Sequence, residues 1–145
     1  MKIKLKDRTE WRNKQGQLHR LDGPAIIYPD GTQVYYLNGQ KHRTDGPAVI
    51  GIDGKEEYYQ NGQLHRTDGP AKIYSDGLQV YYQRGKPHRT DEPAVIYTDG
   101  FQLYYQNNQL HREDGPALIH PNEYQLYYLN GKQLTKEQYE NQLFK

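Results

Sequence analysis

Residues 42–50 read HRTDGPAVI, and close variants of this stretch recur along the chain. The five copies begin at residues 19, 42, 65, 88 and 111, each 23 residues after the one before. A fixed period of this length is typical of repeat proteins, in which every repeat is one supersecondary unit. No single histidine or aspartate of the motif can therefore be treated as unique.

The 145-residue chain is polar, with 34% hydrophobic residues and 19 basic against 18 acidic side chains. Because the net charge is close to zero, the chain lacks the strong basic field that holds nucleic acid non-specifically. The 15 tyrosines recur in phase with glycine and proline, which indicates a folded protein rather than a disordered chain. The sequence has no cysteine, so it offers no disulfide and no thiolate metal site.

Residues 1–7 contain lysines, but no apolar run follows them. We therefore expect no signal peptide and no transmembrane segment, and the simplest expectation is a soluble cytoplasmic protein. Residues 2–6 alternate lysine with isoleucine and leucine, which predicts a half-buried strand. Outward lysines on such a strand discourage pairing with another chain.

The repeat spacing divides the chain into three parts. Residues 1–18 are predicted to form an N-terminal cap of one strand and a degenerate half-repeat, in which Trp11 aligns with Val34. Five hairpin units follow at residues 19–41, 42–64, 65–87, 88–110 and 111–133. Residues 134–145 leave the pattern and are predicted to form a C-terminal helical cap, because solenoids need closed ends.

The predicted C-terminal helix has a recognisable start. Thr135 followed by Gln138 is a capping-box pattern, which is typical of a helix N-terminus. Tyr139, Leu143 and Phe144 then fall on one helical face. We expect this face to pack against the last hairpin.

An Asp-Gly pair lies near the middle of each of the first four units, for example Asp30-Gly31, and the fifth unit has Asn122-Glu123 there. Asp-Gly between apolar-rich runs is typical of a two-residue type I′ hairpin turn, which needs positive φ at both residues. The sequence therefore predicts a tight hairpin in each unit.

The position of this turn decides which side chains share a face of the sheet. In the first unit it places Ile27 opposite Val34 and Ala25 opposite Tyr36, and we expect these four residues to lie in the core. The second tyrosine of every Tyr-Tyr pair is then a core residue. The first tyrosine lies on the opposite, open face, which carries Tyr35, Tyr58, Tyr81, Tyr104 and Tyr127.

Two interpretations of this tyrosine row stay open. Tyrosines that neighbour one another across a sheet stabilise it through cross-strand contacts. Tyrosine is also enriched in protein–protein interfaces, which makes the row our candidate binding surface. Tyrosine also stacks on nucleic-acid bases, but each repeated arginine is followed two residues later by an acidic residue that offsets its charge, so nucleic acid is the less favoured partner.

The connection from Asn38 to Pro47 is too long for a tight turn, so we expect it to fold back over the core face. Five copies of one constellation favour a structural role, in which each aspartate accepts hydrogen bonds from backbone N–H groups, arginine or histidine. In the fourth unit Glu92 replaces the loop glycine, and we expect an altered loop there if that glycine has positive φ. The members of this predicted loop ladder are His19, Asp22, His42, Asp45, His65, Asp68, His88, Asp91, His111 and Asp114.

The full pattern of one unit is Tyr-x-x-Asn-Gly-x-x-His-Arg-x-Asp-Gly-Pro-Ala-x-Ile-x-x-Asp-Gly, and over roughly residues 12–133 it resembles the MORN repeat. Gly39, His42, Asp53-Gly54 and Tyr58 carry the likeness in one unit. The chain departs from that family after the histidine, where MORN repeats have Gly-x-Gly, so it resembles a divergent variant of the kind found in bacterial and phage proteins. The resemblance implies an all-β, single-layer antiparallel β-hairpin solenoid with a scaffold or protein-binding role. Lipid binding has also been proposed for the family, and no catalytic residues come with it.

The repeated histidines do not predict a metal site. Two strands per unit, each about 4.8 Å wide, place equivalent atoms roughly 10 Å apart, whereas zinc–nitrogen bonds are about 2.0–2.1 Å long. An enzyme is equally unexpected, since catalysis needs one site and the motif occurs five times. We expect no metal and no cofactor.

The sequence thus predicts a non-enzymatic protein-binding repeat module or scaffold, and the resemblance suggests a phage or bacterial protein that binds and modulates a host protein. The alternative is a nucleic-acid or anionic-lipid binder that uses the repeated arginines and tyrosines. Pairing at a sheet edge or end would give a homodimer.

Overall fold

The computed structural model describes residues 1–144, which form an all-β protein with one short C-terminal helix. Thirteen strands make one continuous sheet, and eight others form four separate two-stranded hairpins. Neighbouring strands are antiparallel throughout these residues. No helix in this part of the chain is long and apolar enough to cross a membrane.

The elements in chain order are β1 (Lys2–Lys4), β2 (Thr9–Trp11), β3 (Ile26–Ile27), β4 (Gln33–Val34), β5 (Tyr36–Leu37), β6 (Gln40–Lys41), β7 (Val49–Ile50), β8 (Glu56–Glu57), β9 (Tyr59–Gln60), β10 (Gln63–Leu64), β11 (Lys72–Ile73), β12 (Gln79–Val80), β13 (Tyr82–Gln83), β14 (Lys86–Pro87), β15 (Val95–Ile96), β16 (Gln102–Leu103), β17 (Tyr105–Gln106), β18 (Gln109–Leu110), β19 (Leu118–Ile119), β20 (Gln125–Leu129), β21 (Lys132–Leu134) and α1 (Lys136–Leu143).

The main hairpin of the first unit has a three-residue loop, so the predicted two-residue turn is wrong. The N–H of Tyr28 donates to the carbonyl of Thr32 (3.0 Å), and the N–H of Gly31 donates back to the carbonyl of Tyr28 (3.0 Å). Gly31 has φ +95°, as the last residue of such a loop requires. Asp30 instead accepts a hydrogen bond from the N–H of Thr32 (2.8 Å), the usual role of an aspartate in a turn.

The two-residue turn lies at the Asn-Gly pair. Asn38 has φ +49° and Gly39 has φ +81°, and they join β5 to β6 with Leu37 opposite Gln40. Positive φ at both residues identifies a type I′ turn. The connection predicted as one long loop therefore begins with a second, small hairpin. The other copies of this turn are Asn61-Gly62, Arg84-Gly85, Asn107-Asn108 and Asn130-Gly131.

The extra loop residue shifts the pairing of the main hairpin by one position. Ile26, not Ile27, pairs with Val34, and Ile26, Val34 and Val49 form a buried cluster in which no residue is more than 7% exposed. Ile27 lies on the other face and is only half-buried. A shift of one residue transfers every side chain of a strand to the opposite face, so the prediction was right for Val34 and Tyr36 and wrong for β3.

The N-terminal cap repeats the contacts of a full unit. The carbonyl of Trp11 accepts the N–H of His19 just as that of Tyr35 accepts the N–H of His42. Trp11 therefore corresponds to Tyr35, and Glu10, which pairs with Ile26, takes the place of Val34. The predicted alignment of Trp11 with Val34 is off by one residue. The predicted strand at residues 2–6 covers only Lys2–Lys4.

The C-terminal cap contains the predicted helix and capping box. Thr135 accepts the N–H of Gln138 (3.1 Å), and the side chain of Gln138 accepts the N–H of Thr135 (3.0 Å). Tyr139 is buried and Leu143 is half-buried, whereas Phe144 is exposed and does not join the packed face. Lys145, the last residue of the predicted cap, lies outside the described residues.

Candidate functional site

The tyrosine row predicted to be open is covered by arginines. Each motif arginine of units two to five lies over the first tyrosine of the preceding unit, with its Cζ atom 3.9–4.1 Å from the ring centroid. The long connection thus folds over this face and not over the face of the apolar cluster. The pairs are Arg43–Tyr35, Arg66–Tyr58, Arg89–Tyr81 and Arg112–Tyr104. Since these tyrosines are half-buried beneath a guanidinium group, the prediction of an open face here is wrong.

The fifth member of the row is covered by the helical cap. The ring of Tyr139 lies 4.8 Å from that of Tyr127, where a sixth unit would supply an arginine. The hydroxyl of Tyr139 donates to the carbonyl of Arg112 (2.8 Å) and accepts the N–H of Gly115 (2.9 Å). One tyrosine of α1 therefore closes the end of the row.

The motif arginines are held by their own loops. In the second unit Arg43 donates from Nε to Asp45 (2.7 Å) and from Nη1 to the carbonyl of Pro47 (3.2 Å). The hydrogen bond from Arg43, together with its charge, lowers the pKa of Asp45. The same bonds recur for Arg20, Arg66 and Arg112. Each of these guanidinium charges is offset by a carboxylate, which leaves little net charge for a polyanion.

The loop glycine provides room for the arginine. Gly23, Gly46 and Gly69 do not have positive φ, so the conformational reason we considered does not apply to them; Gly115 of the fifth unit has φ +159°. A Cβ atom on Gly46 would lie 3.1 Å from Cζ of Arg43, and one on Gly69 only 2.8 Å from Cζ of Arg66. Glycine at this position therefore leaves space that the guanidinium occupies, and any larger residue would have to shift the arginine.

The fourth unit shows what happens without that glycine. Arg89 pairs with Glu92, the residue in the glycine position, and keeps its bond to the carbonyl of Pro93 (3.3 Å). Asp91 has φ +66° and is exposed, and no ion pair joins it to Arg89 in the described part of the chain. The expected difference in this loop is present, and it lies in the carboxylate that pairs with the arginine.

The motif histidines link the two ends of each unit. Nδ1 of His42 accepts the backbone N–H of Asn61, 19 residues later, at 3.1 Å. The equivalent bonds of the other four histidines are 2.9–3.1 Å long. These bonds hold the first residue of each unit to its Asn-Gly turn. The motif histidines and aspartates thus have separate partners, and no hydrogen bond joins the two sets within residues 1–144.

Shallow hollows separate successive loops on this face. One of them, about 490 Å³, lies between the loops of units one and two and is lined by Arg20, Asp22, Tyr35 and Arg43. Three equivalents, of about 390, 410 and 270 Å³ in chain order, follow along the row. They contain internally paired groups, and no cluster of metal-ligating side chains occurs in the part of the chain that is described.

The opposite face carries an aromatic tract, which we define as Tyr97, Phe101, His120 and Tyr124. Successive ring centroids are 5.3, 5.8 and 5.5 Å apart, and the last two rings are nearly parallel. Tyr97 is 38% exposed and Tyr124 is 47% exposed. Nδ1 of His120 is buried, and the described residues offer it no hydrogen-bond partner. Residues two apart on a strand share a face, so the tract continues the side of the sheet that bears Val95 and Leu103.

The second tyrosines lie on this same side. Tyr36 and Tyr59 pack against the apolar cluster, although they are half-buried rather than fully enclosed. Burial raises the pKa of both hydroxyl groups. They were predicted as core residues, and their position against the cluster agrees with that role.

Near the middle of this side lies a group of charges, which we call the lysine cluster: Lys41, Lys55 and Lys72 around Glu57. Glu57 is 5% exposed, and its Oε1 lies 3.2 Å from Nζ of Lys55 and 3.4 Å from Nζ of Lys72. Nζ of Lys41 lies 4.8 Å from the ring centroid of Tyr59. Burial raises the pKa of Glu57, but the hydrogen bond from Lys55 and the charges of all three lysines outweigh burial and leave the pKa below its ordinary value.

The sequence contained a signal for both features on this side, because most of their residues stand at repeat positions that differ between units; Tyr97 is the exception, since Tyr28 and Tyr74 occupy the same position. Sequence reasoning missed them since the one-residue shift had placed β3 and its equivalents on the wrong face. Searches against protein-family models and against the curated proteins give no match to this chain.

Proposed function

We propose that this protein is a non-enzymatic protein-binding module and that the side of the sheet bearing the aromatic tract is its binding surface. The observation that carries the proposal is the run of four neighbouring rings in units four and five, of which the outer two are more than a third exposed. Partly exposed aromatic residues on a rigid sheet are the kind of groups that dominate protein interfaces.

The contacts on the arginine-covered face support the assignment of the binding surface to the opposite face. The motif arginines stack on tyrosines and bond to aspartates, so the groups that a nucleic acid or an anionic lipid would need are already engaged. Five copies of one internally bonded loop also favour a structural role over a catalytic one. The MORN-like pattern of the sequence agrees with a scaffold.

The proposal is tested by capturing partners from an extract of the source cells with three forms of the protein. We expect a triple variant with Tyr97→Ser, Phe101→Ser and Tyr124→Ser to lose about tenfold or more in affinity, the scale of removing residues that dominate an interface. A control with Leu21→Ser and Ile52→Ser, which removes two isolated exposed apolar side chains, should bind like the wild type.

Nuclease treatment and salt separate this function from its alternative. At about 1 M salt the Debye length is about 3 Å, which abolishes binding that depends on surface charge alone. We expect capture to survive both treatments. Loss of capture with nuclease, complete loss of capture with salt, or equal capture by the triple variant with an intact circular dichroism spectrum would refute the proposal; partial weakening by salt would not.

A further inference from the structure

The lysine cluster stands at four positions that are uncharged in the other hairpin units. Lys41 corresponds to leucine, proline or glutamine, Lys72 to isoleucine, valine or leucine, and Glu57 to valine or leucine. Lys55 corresponds to threonine, leucine, phenylalanine or tyrosine. All four changes meet at one place on the sheet, because β8 pairs with β11 so that Glu57 is opposite Lys72.

Stability does not account for these charges. Well-packed apolar residues at the site of a buried ion pair often stabilise a protein as much or more, and units one, three and four have Val34, Val80 and Leu103 where Glu57 stands. A single ion pair would also be neutral, whereas here two ammonium groups pair with one carboxylate and a third, that of Lys41, lies over the neighbouring ring of Tyr59.

Other nearby carboxylates do not neutralise the excess. The side chain of Glu56 accepts the hydroxyl of Tyr58 (3.1 Å), which places it on the arginine-covered face. Asp53, at the hairpin tip, accepts the backbone N–H of Lys55 (3.2 Å). Within residues 1–144, neither forms an ion pair with a lysine of the cluster.

The cluster and the aromatic tract belong to one continuous strip. Nζ of Lys72 lies 4.6 Å from the ring centroid of Tyr74, and Tyr74 is bonded across the hairpin to Leu78. The next hairpin begins the tract with Tyr97. From β11 to β19 the sheet crosses four strand spacings, or about 19 Å, the length of roughly six extended residues or about 13 helical residues.

We propose that the lysine cluster is an anion subsite of this strip and that it takes the carboxylates of an acidic segment in a protein partner, whose apolar side chains pack on the aromatic tract. The inference rests on the proposed function and names the chemistry of the partner. Glu57 holds the lysines in place, and the two unneutralised positive charges supply the attraction. Charge complementarity of this kind selects partners and speeds their encounter.

A defined peptide tests the inference. The probe is a fluorescein-labelled peptide of about 13 residues, the helical length that matches the strip, with four glutamates followed by leucines and a tryptophan. A matched probe has glutamine in place of every glutamate. Fluorescence anisotropy should show tighter binding of the acidic probe to the wild-type protein.

Three variants test whether positive charge in the lysine cluster strengthens binding of the acidic probe. We expect Lys41→Gln and Lys55→Gln each to weaken binding of the acidic probe about threefold, the scale of a half-exposed ion pair. Glu57→Gln removes the internal counter-ion, so it should strengthen binding by a similar factor. A cluster that serves stability alone would give weaker or unchanged binding in all three. Circular dichroism confirms that each variant is folded.

The possible results separate the two proposals. If the acidic and glutamine probes bind equally, or neither binds, the anion subsite is wrong. If both bind equally and Phe101→Ser weakens both, the proposed binding surface stands without the subsite. If the lysines matter and Phe101→Ser does not, the subsite stands and the aromatic tract is wrong. Equal, lysine-dependent binding of single-stranded DNA or of phosphatidylserine vesicles would overturn the assignment to an acidic protein segment.

Discussion

At the scale of single residues, the loop glycine shows how packing rather than backbone conformation can require glycine. Arg66 stacks on Tyr58 and lies so close to Gly69 that a Cβ atom there would be 2.8 Å from Cζ. The guanidinium is thus held between a ring and a backbone. The fourth unit has Glu92 at this position. Arg89 still stacks on Tyr81, but it pairs with the carboxylate of Glu92 instead of that of the loop aspartate.

We predict that Gly69→Ala lowers the free energy of unfolding by about 1 kcal/mol, because the added methyl group must shift Arg66 and, as in the fourth unit, cost it the exposed ion pair with the loop aspartate. Urea denaturation followed by circular dichroism measures the change. Glu92→Ala is the matched control, since the fourth loop already accommodates a Cβ atom, and it should change stability little. Equal effects of the two substitutions would show that the close approach of the guanidinium is unimportant.

At the scale of elements, the turns decided how far the structure could be predicted from sequence. Asp-Gly and Asn-Gly are both strong turn signals, and the sequence contains both in most units. Asp30 prefers to accept the N–H of Thr32, which makes a three-residue loop, while Asn38 tolerates positive φ and forms the type I′ turn. This choice depends on local hydrogen bonds that the residue types alone do not distinguish. The two strands of each main hairpin, the altered loop at Glu92 and the capping box at Thr135 did not depend on it and were predictable, whereas the small hairpin at each Asn-Gly turn was missed.

Glu57, in strand β8, leads to a prediction about how the stability of the protein depends on pH. The pKa of Glu57 in the folded protein is below its ordinary value of 4.5, so its ionised form favours folding. This stabilisation is complete above about pH 4.5 and is lost as the pH falls through the folded pKa. The variant Glu57→Val, which restores the residue of units one and three, should therefore lose less stability between pH 5 and about pH 3.

Urea unfolding of the wild type and of Glu57→Val across this pH range shows how steeply the free energy of unfolding of each protein falls with pH. Glu10 is also buried, and the hydrogen bond from Arg12 lowers its pKa despite the opposing effect of burial, so some acid sensitivity should remain in the variant. Parallel curves for the two proteins would contradict the role assigned to Glu57.

At the scale of the whole molecule, one face of the sheet is covered by loops and the other is partly exposed. The loops close one face through stacks and hydrogen bonds that recur every 23 residues, and Trp11 and Tyr139 continue the row at its two ends. The other face contains the apolar cluster, the lysine cluster and the partly exposed aromatic tract. The candidate site differs from its predicted position because repetition drew attention to the tyrosines that all units share, whereas the lysine cluster and the tract residues Phe101, His120 and Tyr124 stand where units differ.

We expect a protein partner to bind the face of the aromatic tract and not the arginine-covered row. Photo-crosslinking distinguishes the two faces, with p-benzoylphenylalanine replacing Phe101 in one variant and Tyr81 in another. Each variant is irradiated in an extract of the source cells, and adducts are identified by mass spectrometry. We predict a specific protein adduct at position 101 and none at position 81. An adduct at position 81 alone would contradict the account.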